Sequence, residues 1–144
     1  MKSSETPPVT IAKMLKIEDD SLPKLPLDFL KHLRVETREF GVLIFAVSTR
    51  TIRLIPTESD QVIKLIIEIG ELTPHFLDEL GRVLTAHKVD TLYSSGICFT
   101  ADSCQYEGYI DQAEMKATSL DRLKSELMQI RGITSVKLSV LTSE

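Results

Sequence analysis

The sequence predicts an α+β protein in which a small β-rich module with one short helix precedes a domain of element order βαββαβ. Three observations support this class. A continuous apolar run at residues 62–69 is typical of a strand buried on both faces. Residues 74–87 and 118–132 place apolar side chains at the spacing of helices that pack on one side. Short aromatic and β-branched runs between turn-forming residues indicate antiparallel strands.

The composition is that of a globular chain. Its 144 residues are 42% hydrophobic, which suffices for one ordinary domain or two small ones. No apolar run reaches the roughly 20 residues of a membrane span, and the N-terminus lacks the apolar segment of a secretory signal. We therefore expect a cytoplasmic protein without a membrane partner. Cys98 and Cys104 lack the spacing of a C-x-x-C motif or a zinc site and are expected to be packing or loop residues.

The charge is unevenly distributed along the chain. Residues 1–59 carry 9 Lys or Arg and 8 Asp or Glu, whereas residues 60–144 carry 8 and 13. A polar break at Pro56–Asp60 lies between two apolar runs. The sequence thus predicts three parts: a disordered tail at 1–11, a β-rich module at 12–57 and a second domain at 61–142.

The first module contains few elements. We predict a strand at 13–17, a helix at 24–33 with Pro26 near its start, and a hairpin of strands 40–48 and 51–56. Such a small set buries little apolar surface on its own. We therefore expect this module to need a partner chain.

The second domain begins with the strand at 62–69 and a helix from Pro74 to about His87. Thr73 is placed to cap this helix, and Pro74 occupies its first position, where the missing N–H costs nothing. The predicted buried stripe consists of Phe76, Leu77, Leu80, Val83 and Leu84.

A hairpin and a last strand complete the predicted sheet. Strands at 91–99 and 106–110 should pair antiparallel about a polar loop at 100–105. The last strand, 134–141, alternates apolar and polar residues, with Val136, Leu138 and Val140 inward.

A second helix is predicted between the hairpin and the last strand. Thr118 or Ser119 is its cap, and Gly132 follows its end. Its buried stripe consists of Leu120, Leu123, Leu127 and Ile130. The resulting βαββαβ order is that of a ferredoxin-like sandwich, a four-stranded antiparallel sheet with two helices on one face.

Residues 70–92, GELTPHFLDELGRVLTAHKVDTL, resemble the signature of the ACT domain, a small-molecule-sensing module of amino-acid metabolism with the same element order. Glu71 matches the acidic position, Pro74 the proline, and residues 87–92 the turn into the second strand. His75 stands where the family has glycine. Element order extends the resemblance over residues 61–142.

This resemblance implies a binding site for an amino acid or related metabolite. Backbone N–H groups at the helix N-terminus would receive an anionic group of the ligand. The implied ligand-binding residues are Gly70, Glu71, Leu72, Thr73, Pro74, His75, Ser94, Ser95 and Gly96. A plain strand-to-helix connection is an equally good interpretation of the first six, and an edge strand or bulge accounts for the last three.

Residues 12–57 resemble the AbrB-like swapped-hairpin DNA-binding fold. Pro26, Leu30, Leu33 and Val35 match its helix, and Ile52, Leu54 and Pro56 match its closing strand. Residues 36–41 replace the usual glycine–aspartate turn. Because two chains interleave in that family, the resemblance implies a homodimer or higher oligomer.

Duplex DNA is the second implied partner of the first module. Lys13, Lys16 and Lys24 are the residues we would place against phosphates. A solvated surface is the commoner explanation of such scattered charges. The acidic run at 18–20 would also repel phosphate.

Catalysis finds no support in the sequence. No nucleophile elbow, P-loop, dinucleotide fingerprint or H-E-x-x-H motif is present. No grouping of His, Cys, Asp and Glu has metal-ligand spacing. We expect no enzyme activity, cofactor or metal, and our leading hypothesis is a ligand-responsive transcriptional regulator. The alternatives are a regulatory subunit that docks on an amino-acid biosynthetic enzyme and a ligand-free oligomerisation domain.

Overall fold

The computed structural model describes residues 9–17, 25–33, 39–115 and 119–142. Two antiparallel sheets of three and four strands and three α-helices confirm the predicted α+β class. The strands are β1 (Thr10–Lys16), β2 (Phe40–Ala46), β3 (Thr51–Thr57), β4 (Gln61–Ile69), β5 (Tyr93–Thr100), β6 (Ser103–Asp111) and β7 (Ile133–Thr142). The helices are α1 (Leu27–Leu33), α2 (Phe76–Ala86) and α3 (Leu120–Leu127).

The first sheet has the order β1-β2-β3. Its strand β1 starts at Thr10, so Thr10 and Ile11, which were predicted to belong to a disordered tail, lie in a strand. The β2–β3 hairpin turns at residues 47–50, as the polar residues there predict, with Arg50 at φ 56°. Helix α1 lies between β1 and β2 in the chain and has no buried residue.

The second sheet has the order β5-β6-β4-β7, so β4 is central and β5 and β7 are edges. Side chains alternate across a strand, and this places Ile63, Leu65, Ile67 and Ile69 of β4 on one face. These residues form one core with the buried residues of α2 and α3. The continuous apolar run at 62–69 reflects burial of this strand on both faces, as the sequence predicts.

The opposite face of the four-stranded sheet packs against the first sheet. Val42 and Ile44 of β2 form a second core with Val62 and Tyr109 of the larger sheet. All four are at most 1% exposed. The larger sheet therefore buries part of the apolar surface of the first module. The sequence alone predicts that a partner chain buries this surface.

Helix α2 departs from the prediction at its start. It begins at Phe76, and His75 occupies the N-cap position without a side-chain hydrogen bond. Thr73 is therefore not the cap, because its carbonyl instead accepts the Phe76 N–H in a turn that precedes the helix. Phe76, Leu80 and Leu84 are buried as predicted, whereas Leu77 is 70% exposed.

Helix α3 is capped as predicted, since the hydroxyl of Ser119 accepts the N–H of Arg122. The helix ends at Leu127, and Gly132 therefore lies in the turn before β7 rather than at the helix end. In β7, Val136 is buried as predicted, but Val140 is 45% exposed. The β5–β6 turn is shorter than predicted, with only Ala101 and Asp102 outside the strands.

The two cysteines are not simple packing residues. Cys98 of β5 and Cys104 of β6 are directly paired across the hairpin and form a disulfide. Sequence spacing missed this bond because two residues opposite each other in a hairpin are recognised only once the turn is known. Among the described residues, no helix is long and apolar enough to cross a membrane.

Candidate functional site

A cavity of about 400 Å³ lies between the start of α2 and the β5–β6 hairpin. This size falls in the range of small-molecule sites. Here β5 is an edge strand, and Leu72 of the segment before α2 lines the cavity together with it. The lining consists of Ile69, Leu72, Phe76, Leu77, Ser94, Ser95, Gly96, Ile97, Cys98, Cys104, Gln105 and Tyr106.

The lining is apolar and uncharged. Leu72 and Leu77, which are 50% and 70% exposed, project at the α2 side. The polar groups that line the cavity are hydroxyl, amide and backbone groups, and none of its lining side chains is acidic or basic. Such a surface suits an apolar group with a few neutral hydrogen-bonding atoms.

Tyr106 is one of two buried polar residues in the lining, at 9% exposed beside Gln105 at 7%. Burial raises the pKa of its hydroxyl above the ordinary value, and a hydrogen bond with Ser94 acts in the opposite direction. The hydroxyl therefore stays protonated and neutral, able both to donate and to accept a hydrogen bond.

The structure brings part of the predicted ligand site together. Leu72, Ser94, Ser95 and Gly96 all line the cavity. The first comes from the segment before α2 and the others from β5, so two predicted segments meet across it. A Cβ at Gly96 would meet only the carbonyl oxygen of Gln105, at 3.5 Å, so this position has room for a larger side chain.

The other predicted ligand residues do not line this cavity. The N–H groups of Gly70 and Glu71 both donate to the carbonyl of Gly132, at N–O distances of 2.8 and 3.3 Å. These amides are thus already bonded within the chain, contrary to the expectation that they would receive an anion. The hydroxyl of Thr73 is buried without a hydrogen-bond partner. Pro74 and His75 are exposed.

Gly132 fixes this arrangement. Its φ of +93° lies in the left-handed region, and a Cβ there would come within 2.0 Å of the Glu71 carbonyl oxygen. Only glycine permits this close approach of two backbone segments. The sequence shows only that a glycine follows a predicted helix at this position. Its contact residue, Glu71, lies about 60 residues away, so the residues next to Gly132 do not predict the contact.

A polar cluster between the two sheets was missed by sequence reasoning. The carboxylate of Glu107, 1% exposed, accepts the N–H groups of Val9 at 3.4 Å and Thr10 at 3.0 Å, and also the Thr10 hydroxyl. The side-chain amide of Gln105 donates to the same carboxylate at 2.8 Å. Lys64 Nζ lies 3.8 Å from it and donates to the Thr10 carbonyl at 2.9 Å.

Tyr109 completes this cluster. Its hydroxyl lies 2.6 Å from the Thr10 hydroxyl, and the residue is fully buried. Burial raises the pKa of Tyr109 to about 12, although the hydrogen bond with Thr10 opposes the shift. The cluster therefore joins β1 to β6 through a buried carboxyl group with four protein donors.

Strand β6 forms part of both sites. Cys104 and Tyr106 lie on its helix-facing side, whereas Gln105, Glu107 and Tyr109 point toward the first sheet. The alternation of polar residues at 105, 107, 109 and 111 is visible in the sequence. Periodicity alone does not reveal that this side is covered by a second sheet.

Two of the three predicted DNA-binding residues lie on opposite faces of the same strand. Lys13 pairs with Leu43 and Lys16 with Phe40, so the two lysines project from opposite faces of β1. Lys24 lies outside the described residues, as do Val35 and Thr118. The guanidinium of Arg53, a further basic residue of the first sheet, lies 4.5 Å from the centre of the Tyr93 ring.

Within the described part of the chain, no group of three or more His, Cys, Asp or Glu residues could hold a metal ion. No known family model matches the sequence, and no curated protein gives a significant match.

Proposed function

We propose that this chain is a ligand-responsive regulator that binds an amino acid or related small metabolite in the cavity between α2 and β5–β6. The observation that carries this proposal is the cavity itself, which joins the segment before α2 to Ser94–Gly96. Leu72 and Ser94–Gly96 are also residues that the sequence resemblance implies as ligand-binding.

Topology supports an ACT-like, ferredoxin-like assignment for residues 61–142. The elements follow the order β4-α2-β5-β6-α3-β7, and the strands are arranged β5-β6-β4-β7. A central first strand flanked by the third and fourth fits the split βαβ arrangement. Fold alone does not define function, so the ligand class rests on the cavity.

The lining points to a ligand with an apolar side chain. Leu72, Phe76 and Ile97 provide hydrophobic surface, and Ser94, Ser95 and Tyr106 are the lining residues that carry a hydroxyl group. Amides of Gly70 and Glu71 are already bonded to Gly132, so they are poor partners for a carboxylate. An aliphatic or aromatic side chain would enter the cavity, and the charged groups of a free amino acid would remain at its open side.

The response would pass through β6. A ligand against Tyr106 acts on the strand whose next residue, Glu107, holds the backbone of Val9 and Thr10. A ligand shifts an equilibrium only if it binds two arrangements with different affinity. We propose that the two arrangements differ in how β1 docks on the larger sheet.

The output of the regulator is proposed to be transcriptional. In this proposal the protein is a cytoplasmic homodimer or higher oligomer, and its AbrB-like first sheet contacts duplex DNA. Affinity for duplex DNA that falls steeply with rising salt would support this output. Co-purification with an amino-acid biosynthetic enzyme would instead support the alternative of a docking subunit.

The ligand site is tested by thermal shift with the common amino acids. We expect leucine, isoleucine, valine, methionine or phenylalanine to raise the Tm, because a ligand at about 100 times its Kd stabilises a protein by about 2.7 kcal/mol. Gly96→Leu should abolish the shift by filling the cavity. Gly81→Leu is the matched control, since a Cβ at this α2 position meets nothing within 4 Å.

Two results would contradict this function. One is the absence of a Tm shift with every amino acid tested. The other is an equal shift in wild type and Gly96→Leu. The first result would favour the alternative of an oligomerisation domain without a ligand, and the second would mean that the ligand binds elsewhere on the protein.

A further inference from the structure

The disulfide is part of the cavity lining. Both Cys98 and Cys104 contribute to the lining, alongside Gly96 and Ile97 of the same edge strand. Strand β5 is bonded to a neighbour on one side only, β6. The disulfide is therefore a covalent link between the edge strand and the rest of the sheet at the place where β5 borders the cavity.

The link lies at the last regular pair of the hairpin, next to an irregular stretch. Pairing runs regularly from Tyr93 to Cys98 and then shifts before Thr100. Phe99, within this irregular stretch, is 42% exposed. Backbone hydrogen bonds therefore attach this end of β5 to β6 less firmly than they attach the regular stretch from Tyr93 to Cys98.

The two cysteines differ in exposure. Cys98 is exposed, whereas Cys104 is buried at 6% exposed. An incoming thiolate attacks the more accessible sulfur of a disulfide, because exchange requires access along the S–S axis. The geometry thus distinguishes Cys98 as the attacked residue and Cys104 as the leaving thiol.

We infer that Cys98 and Cys104 form a thiol–disulfide exchange site that controls ligand binding in the adjacent cavity. The reductant is a dithiol. One of its thiolates attacks Sγ of Cys98, the S–S bond breaks, and Cys104 leaves and takes up a proton. The second thiolate of the reductant then attacks the mixed disulfide, which forms the reductant's own disulfide and releases the Cys98 thiol. Two electrons and two protons pass to the protein.

The regulation rests on the proposed function of the cavity. With the disulfide intact, the lining from Gly96 to Cys98 is held against β6, so a ligand meets a preorganised surface and pays less ordering entropy. Reduction loosens this stretch while the β5–β6 hydrogen bonds remain. Coupling is reciprocal, so a bound ligand makes the disulfide harder to reduce by the same factor. In a cytoplasmic protein such a disulfide acts as a redox sensor.

The experiment uses the full chain and the neutral fluorescent probe N-phenyl-1-naphthylamine. Its Kd is measured with the protein oxidised and after reduction by dithiothreitol, with thiol counting and circular dichroism confirming two free thiols in a folded chain. We expect reduction to raise the Kd about fivefold or more. A fivefold change corresponds to a shift of about 20 mV in the reduction potential when the probe is saturating. The double variant Cys98→Ser/Cys104→Ser should bind as the reduced protein does, with or without dithiothreitol.

Hydrogen exchange provides a readout that needs no ligand. Amides at residues 96–100 should exchange faster after reduction, whereas those of the central strand β4 should not change. Equal exchange in both states would overturn the inference.

The outcomes separate the two proposals. Probe binding that is lost in Gly96→Leu but equal in the oxidised and reduced protein overturns redox control and leaves the cavity as the ligand site. Probe binding that survives Gly96→Leu, or no binding at all, overturns the cavity's function and with it the control.

Discussion

His87 is buried at the C-terminal end of α2, and its Nε2 lies 2.9 Å from Oε1 of Glu126 in α3. The hydrogen bond from His87 is the main cause that lowers the pKa of Glu126, and the nearby Arg122 adds to it. These side chains join the two helices. Because Glu126 is solvent-accessible, solvent screens its interaction with His87, and the pair does not stabilise the fold strongly. Its main effect is to make the stability depend on pH.

This pair predicts a pH-dependent stability. A carboxylate with a lowered folded pKa contributes stability that is complete above its unfolded pKa and is lost as the pH falls through its folded value. The Tm of wild type should therefore fall more than that of Glu126→Gln between about pH 5.5 and about pH 3. Calorimetry across this range measures the difference, with Glu39→Gln as an exposed control. Parallel Tm curves for wild type and Glu126→Gln would contradict the role of Glu126.

At the scale of single elements, the turn before β7 holds the strand-to-helix connection after β4. The carbonyl of Gly132 accepts the N–H groups of both Gly70 and Glu71. This contact fixes the path of the chain from Ile69 toward Leu72 and thereby places one side of the cavity.

Gly132→Ala should be strongly destabilising. The new Cβ would meet the Glu71 carbonyl oxygen at 2.0 Å, and the φ of +93° disfavours any L side chain. We expect the free energy of unfolding to fall by more than about 2 kcal/mol. Urea denaturation measures this loss, and Gly81→Ala in exposed α2 should instead stabilise by up to about 1 kcal/mol. If Gly132→Ala lowers the free energy of unfolding by less than a typical surface substitution does, the turn must accept the new Cβ without cost, which would contradict this prediction.

The elements themselves were predictable wherever local chemistry determines them. The central strand β4, the amphipathic pattern of α2 and the Ser119 cap follow from spacing and from one short-range hydrogen bond. The start of α2 was not predictable in this way, because Thr73 bonds through its backbone and burial of Phe76 sets the helix start. The disulfide was missed for a related reason, since it depends on the register of one hairpin.

At the scale of the whole molecule, two sheets pack on each other through a core that contains a buried carboxylate. Glu107 has four protein donors, from Val9, Thr10 and Gln105. The connection from β3 to β4 is also tied to the larger sheet, because the Glu58 N–H donates to Asp111 at 2.9 Å. The sequence predicts both sheets but not the contact between them. The pattern of apolar residues in one sheet does not show which of its faces the other sheet covers.

Glu107→Ala should weaken the whole assembly. Its removal leaves the buried N–H of Thr10 and the amide of Gln105 without an acceptor, which should cost about 3 kcal/mol of unfolding free energy. Chemical denaturation measures the loss. Glu71→Ala, which breaks only an exposed ion pair of 3.7 Å with Arg131, should cost less than about 1 kcal/mol. Equal losses in the two variants would show that the carboxylate does not hold the sheets together.

The central claim is that a small apolar metabolite binds between α2 and β5–β6 and that β1 responds. Its most direct test is the backbone amide NMR spectrum of the oxidised protein titrated with an amino acid that raises the Tm. We expect saturable shift changes at Leu72, Gly96 and Tyr106, together with changes at Val9 and Thr10, and none of these in Gly96→Leu. Changes confined to other parts of the chain, or none at saturating ligand, would contradict the claim.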